Sequence, residues 1–360
     1  MIFERRDDHP GARLLFIMAC LVVVVYGLKF LAPVLLPSSL ALFLAVLGLP
    51  VMVGLQRRGV PDSLAIFVTF LVILGGFALL GLLASQSFTD LQPQLDRYAV
   101  RLEGLQDSWI AGLEARFPNI PIGSYITIDL INPGWVVDFV GNALGRVTQF
   151  VTTTFLVLLI MAFMLGEATV FPEKFRYILG EDAGDEDRLA KVVSEIQTYL
   201  GIKTMVSLAT GLILGTWAFV MELDFPVLLG IIAFLLNYIP TVGSIIAAAP
   251  AVLLSLILHG TLPHFLLVTM GYVVVNTLFG NILEPNLMGR RLGLSTLVVI
   301  LSLLFWGWAW GPIGALLSVP LTMIVKIFLE NSPDLKWIAI LLDKTPPADP
   351  APAGPSPEPE

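Results

Sequence analysis

Asn237, Tyr238, Thr241 and Ser244 surround a proline-glycine bend at Pro240 and Gly243, in a stretch that is otherwise apolar. Amides and hydroxyls so placed can hydrogen-bond a small solute. The bend also frees backbone N–H and C=O groups, which cannot face lipid and must be buried in protein or line a wet cavity. A second bend of the same make lies at Trp310, Gly311, Pro312, Ile313 and Gly314, with Ser302 before it and Ser318 after it. Each bend leads into a run of small residues and then a further proline, Pro250 or Pro320. Two weakly similar broken segments in one membrane protein mark a transporter built from internal repeats. Asn276 and Asn281, uncharged amides between the bends, are expected to face inward. The plainer role for these amides and hydroxyls is to join helices, at about 0.6 kcal/mol each.

The charged residues between the bends follow the run Glu284-Pro285-Asn286-Leu287-Met288-Gly289-Arg290-Arg291. This reads either as a helix stop before a basic cytoplasmic loop, or as a latch in which Glu284 pairs with Arg290 or Arg291 and exchanges partners. Trp306, Trp308 and Trp310 alternate near the second bend, which suits an interfacial aromatic belt or stacking on a solute.

Bond-making chemistry is poorly supported. The histidines are His9, His259 and His264, and no HExxH, G-x-S-x-G or glycine-rich phosphate loop is present. His259 and His264 flank Gly260 and Pro263 as an interfacial turn would, and are badly spaced for a helix-borne metal pair. The expectation is a non-enzyme with no metal and no cofactor. The sequence carries no ATP-binding domain, so transport must draw on an ion gradient, on the solute's own gradient or on a partner.

Of 360 residues, 56% are hydrophobic and 13% charged, whereas a soluble domain carries about 25% charged residues. No Asp, Glu, Lys or Arg occurs in 225–283 or in 292–325, and a charge at the bilayer centre costs at least ~2.5 kcal/mol. The formal charge of -8 comes from loops and tail, and no basic patch with interleaved aromatics suggests nucleic acid. Cys20 stands alone in the first apolar segment, so no disulfide framework or thiolate cluster is expected. That segment runs past Lys29 into further apolar sequence without a small-residue cleavage site, as a membrane helix would.

Spans of about 20 apolar residues fall at 14–31, 37–55, 63–84, 147–165 and 204–221, followed by paired arms at 225–239 and 242–258, a single span at 263–283, and arms at 296–310 and 313–328. The fold class is therefore an all-α polytopic membrane protein of about eight transmembrane helices. Short-loop Lys and Arg favour the cytoplasm. Arg5, Arg6 and Arg13 put the N-terminus inside, and Arg57 and Arg58 return inside after two spans. Glu222 and Asp224 then lie outside, and the C-terminus with Lys336 and Lys344 inside. The two broken units become inverted copies, and arms of about fifteen residues favour re-entrant hairpins over full spans. The chain divides into membrane helices at 1–84, an extracytoplasmic helical segment at 85–146, membrane helices with a cytoplasmic segment 167–203 at 147–221, a repeat-containing core at 222–330 and a Pro-rich tail at 331–360.

Outside, Phe88, Leu91, Leu95, Tyr98, Leu102, Leu105 and Trp109 form a coiled-coil-like stripe, facing the same protomer or a copy in an oligomer. From 118 to 133 the chain reads as irregular. Inside, Leu189, Val192, Val193, Ile196, Tyr199 and Leu200 read as an amphipathic helix along the membrane surface ahead of the next span.

Three stretches resemble one known family. They are Glu284 through Ser295, then Leu301-Ser302-Leu303-Leu304-Phe305-Trp306-Gly307-Trp308, then Gly311-Pro312-Ile313-Gly314-Ala315-Leu316-Leu317-Ser318-Val319-Pro320-Leu321. Together with the bend at 237–243 they are similar to the autoinducer-2 exporter family, or PerM-like permeases, although Thr296 stands where that family commonly has proline. The resemblance implies a secondary transporter of the bacterial inner membrane, a homo-oligomer whose partners are the lipid bilayer and a small-molecule or ion solute. Its members are associated with export of a furanone signal or with sodium-proton exchange.

Overall fold

The computed structural model of the chain describes residues 10–91, 94–116, 147–168, 170, 174, 183–288, 294–330, 332 and 335–343. Every regular element among the described residues is helical. In chain order they are α1 (Pro10–Phe30), α2 (Ala32–Gln56), α3 (Asp62–Leu91), α4 (Leu95–Arg116), α5 (Val147–Ala168) and α6 (Ala183–Val220). There follow α7 (Pro226–Leu236), α8 (Val242–His259), α9 (Leu262–Asn276), a π-helical run (Thr277–Leu283), α10 (Glu284–Met288), α11 (Thr296–Glu330) and α12 (Lys336–Leu342). The segment 118–133 and the tail 346–360 lie outside the described residues.

Six helical runs are long and apolar enough to cross a bilayer: α2, the 62–87 part of α3, the 193–220 part of α6, α8, the run from α9 through α10, and α11 when its two arms are taken as one run. Three shorter apolar helices, Leu15–Phe30, Thr153–Ala168 and Pro226–Leu236, accompany them. The outward faces show why lipid must be the solvent. The most apolar window of α3 buries only 6% of its residues inside the protein, leaving Leu64, Phe67, Val72 and Leu79 exposed. Surface this apolar cannot be left in water, and this holds over most of the molecule.

Two sequence expectations are corrected. The first two spans were read as crossing in opposite directions, yet only Leu31 separates α1 from α2. Its backbone stays near helical (φ -81°, ψ 0°), its amide bonds to Gly27 O at 2.9 Å and its carbonyl accepts from Leu35 N at 2.9 Å. One such residue bends a helix but cannot reverse it, so no loop returns the chain there. Without a reversal at Leu31, the two crossings expected between Arg13 and Arg57 are not present. The second correction concerns the amphipathic surface helix, which is the first part of α6. A single helix of 38 residues runs from Ala183 to Val220, about 57 Å at 1.5 Å per residue, longer than the ~30 Å hydrocarbon core. Ile196, Tyr199 and Leu200 are buried because the same helix face continues into the bundle.

α6 joins two cores. Ile196, Tyr199 and Leu200 pack with Phe43 and Val46 of α2, Met288 of α10 and Trp306 and Trp310 of α11. Leu214 and Ala218 pack with Leu229, Ala233, Ala247, Ala251, Val268 and Tyr272 of α7, α8 and α9. A third core joins α2, α3 and α5 around Ala41, Met52, Ala65, Met161 and Leu165. Contact between α6 and α7 is close because Gly211 and Gly215, one turn apart, both face Gly230, and a Cβ on any of them would press on the opposing backbone. This is the small-residue packing of membrane helices.

At the opposite end of the bundle from Lys203, α4 docks onto the loops. Tyr98 donates its hydroxyl to Asp224 Oδ2 at 2.5 Å, and Arg101 Nη1 donates to Leu258 O at 3.3 Å. Burial and the Asp224 carboxylate hold the Tyr98 phenol well above its usual titration range. The α8–α9 loop turns at Gly260 (φ 63°). There the rings of His259 and His264 stack at 3.6 Å between centroids, with His264 Nε2 2.9 Å from Met221 O. Tyr98 and Leu105 of the predicted stripe meet the same protomer. The side chains of Phe88, Leu91, Leu95, Leu102 and Trp109 lie outside the described residues.

Candidate solute site at the two hairpin bends

The first hairpin is α7 and α8 joined by residues 237–241. Pro226 opens α7, its fixed φ suiting the first turn, and Pro240, which has no N–H, ends the helical run. The bend closes through Ile239 N to Leu236 O at 2.9 Å and Gly243 N to Ile239 O at 3.3 Å. Thr241 holds φ 57° and ψ -55°, a strained conformation for a β-branched residue. Its hydroxyl donates to Pro240 O at 2.7 Å. Gly243 is buried, and a Cβ there would overlap the Leu236 carbonyl.

The polar side chains of this bend turn toward α6. Asn237, 6% exposed, donates from Nδ2 to Ser207 Oγ at 3.0 Å. Tyr238 donates to Thr204 Oγ1 at 2.7 Å, and Thr204 donates in turn to Leu200 O at 2.7 Å. Ser244 is half-buried and Thr241 exposed. Thus the bend is seated by side-chain hydrogen bonds between two elements, which the sequence alone did not reveal.

The second hairpin is α11 itself. Gly311 (φ 71°, ψ -155°) breaks the helix into arms 296–310 and 312–330, a conformation essentially confined to glycine. The arms fold back on each other. Trp306 donates from Nε1 to Thr322 Oγ1 at 3.1 Å, whereas sixteen residues of straight helix would span about 24 Å. The Trp306 carbonyl lies where a Cβ on Gly314 would fall, the same relation that Gly243 has to Leu236. Pro312 is exposed beside the break, and Gly314 is buried.

The aromatic belt is corrected for two of its three members. Trp306 and Trp310 are buried at 6% and 7% exposure, their rings 4.8 Å apart, and Trp310 Nε1 donates to Leu28 O at 3.0 Å. Trp308 alone is exposed, with Lys29 Nζ 4.0 Å from its ring centre and Tyr26 edge-on at 6.5 Å. Ser302 donates to Val299 O at 2.9 Å and Ser318 to Ala315 O at 2.8 Å. Both hydroxyls serve their own helix and are not presented to a solute.

Of the two asparagines expected to face inward, Asn276 is half-buried and Asn281, on the π-helical run, is exposed. The missed residue is Lys203. It is 3% exposed and its Nζ lies 2.6 Å from Glu284 Oε1. Sequence reading left it at the end of a cytoplasmic segment, although the steps of four from Tyr199 to Lys203 to Ser207 already put it on the inner face of α6. Arg290 and Arg291, the other proposed partners of Glu284, lie outside the described residues. Thr210 Oγ1, Trp217 Nε1, Ser255 Oγ and Tyr272 OH are buried without a hydrogen-bond partner. No group of three or more His, Cys, Asp or Glu among the described residues is placed to hold a metal ion.

A multi-pass helical bundle whose hairpins break at Pro240–Thr241 and at Gly311, with an ion pair between its helices, suits a membrane transporter. Residues 18–334 match the AI-2E family transporter family, and the chain belongs to it. It is 37% identical over 339 residues to the AI-2 transport protein TqsA of Escherichia coli (strain K12), covering 92% of this chain and 96% of that protein. It is 40% identical over 339 residues to a putative transport protein of Haemophilus influenzae, with the same coverage. It is 34% identical over 341 residues to the putative transport protein YhhT of Escherichia coli (strain K12), covering 94% and 96%.

Proposed function

We propose that this chain is a secondary exporter of a small polar organic solute of the autoinducer-2 kind, working by alternating access of two inverted hairpins. The observation that carries this reading is the pair of broken hairpins itself. Just past each bend a buried glycine sits where any Cβ would overlap a carbonyl of the incoming arm, and the first bend seats Asn237 and Tyr238 on α6. Broken helices expose backbone groups to a cavity that a solute can satisfy. The pathway residues are Asn237, Pro240, Thr241, Gly243 and Ser244 on one bend, Trp306, Gly311, Pro312 and Gly314 on the other, and the half-buried Asn276 between them; the expectation that Asn281 faces inward is corrected by its exposure on the π-helical run. Ser318 takes part through packing. A bacterial inner membrane, a cytoplasmic 331–360 tail and a homo-oligomer complete the reading.

The test is flux in reconstituted vesicles, screened across hydroxylated furanones, amino acids and cations. Gradient-dependent movement of a furanone, lost in Gly311→Ala, supports it; folded protein that moves no organic solute refutes it. A second reading, sodium-proton exchange, draws on the half-buried carboxylate of Glu284. Proton release on sodium addition to everted vesicles, abolished by Glu284→Gln, would favour it.

A further inference from the structure

We infer that Lys203 and Glu284 form a lock that holds the α7–α8–α9 unit against α6, with Lys203 as its positioning residue. Three observations lead there. A cation with a side-chain exposure of 4% faces a carboxylate at 16%, and neither charge is tolerable in a low-dielectric interior without the other. The pair lies on the same stretch of α6 that seats the first bend, because Thr204 and Ser207 take Tyr238 and Asn237. Glu284 also belongs to the same chain run as that bend, since α8 passes into α9 through Gly260 and Thr261, and α9 passes through the π-helical run to Glu284. The unit is thus pinned to α6 twice at neighbouring levels, by neutral hydrogen bonds at the bend and by charge at its end.

The π-helical run supplies the means of release. A π-helix carries one residue more per turn than the α-helix on either side, and such segments occur mostly as single-turn insertions at functional sites. Relaxing Thr277–Leu283 to α-helix would advance and rotate Glu284 by about one residue, roughly 1.5 Å and 100°, and carry its carboxylate off Lys203. Once separated, both charges are solvated by the water that enters as the unit leaves α6. The lock rests on the transport reading for its purpose but not for its existence.

The test uses the full-length protein with Cys20→Ser and a reporter Ala233→Cys, a position 2% exposed on the face of α7 that packs on α6, labelled by a membrane-impermeant maleimide from each side. Lys203→Met and Glu284→Gln are each expected to raise the labelling rate about tenfold or more, because removing one partner of a buried pair is strongly destabilising. The exchanged pair, Lys203→Glu with Glu284→Lys, is expected to return it to within about threefold of the parent. If a single variant fails to fold, Lys203→Met with Glu284→Gln, which leaves no orphan charge, must also label fast. Parental labelling in the neutral variants overturns the lock, and so does an exchanged pair that labels like the single variants. Solute flux is measured on the same vesicles: a working lock without flux leaves this inference standing and removes the transport reading.

Discussion

The fold-back of α11 can be tested at one pair of positions. A Cβ on Gly307 would lie 3.6 Å from the Cβ of Ala315, inside the 3.5–4.5 Å window that a disulfide needs. Residues eight apart in an unbroken helix are about 12 Å apart along the axis. With Cys20→Ser, the variant Gly307→Cys with Ala315→Cys is therefore expected to oxidise almost completely under mild oxidant, read as loss of both thiols to a polyethylene glycol maleimide on a gel. The matched control is Gly76→Cys with Ala84→Cys in α3, which has the same residue types and spacing in an uninterrupted helix and is expected to keep both thiols. Adding Gly311→Ala to the first pair places a Cβ at φ 71°, a strain of about 1–3 kcal/mol. That weakens the closed hairpin by roughly 5- to 150-fold and should slow disulfide formation. If positions 307 and 315 keep free thiols as the α3 pair does, α11 runs straight and the second hairpin does not exist.

Thr241→Gly removes backbone strain at the first bend, and after the added flexibility of glycine in the unfolded chain a net gain of about 1 kcal/mol is expected, seen as a higher Tm in detergent. Gly230→Leu should force α6 and α7 apart and destabilise by about 1–3 kcal/mol or more, measured by thermal unfolding and by yield of folded protein. Trp306→Phe leaves Thr322 without its indole donor and should destabilise by about 1 kcal/mol; a cycle with Thr322→Val checks that the two effects are coupled. Lowering the pH until His259 takes up a proton should force its ring off that of His264, with Glu222, Asp224 and Arg101 as the surrounding charges. Lower protection factors in α4 at acid pH than at pH 7, with each rate corrected for the intrinsic pH dependence of amide exchange, are the expected result, and the change should be absent in His264→Gln.

Much of this architecture was legible because lipid imposes simple demands. Charge-free stretches across 225–283 and 292–325 could only be membrane helices. Pro240 and Gly243, or Gly311, Pro312 and Gly314, could only interrupt them, since proline removes a donor and glycine admits backbone that other residues do not. The site was less legible. Asn281 and Asn237 are the same residue type in equally apolar sequence, yet one is exposed and the other buried against Ser207. Lys203 looked like the last charge before a span, because reading by composition ends a span at the first lysine.

The sequence by itself determined the solvent, the helical class, the places where helices break and the family resemblance, since each follows from local composition and backbone chemistry. Tertiary structure alone decided the direction of side chains and the pairing of charges. Whether Trp306 meets lipid or Thr322, and whether Glu284 meets a loop arginine or Lys203 81 positions away in the chain, depends on how helices rotate and cross. That rotation is set by contacts such as Gly211 and Gly215 on Gly230, between residues distant in sequence, which no local pattern encodes.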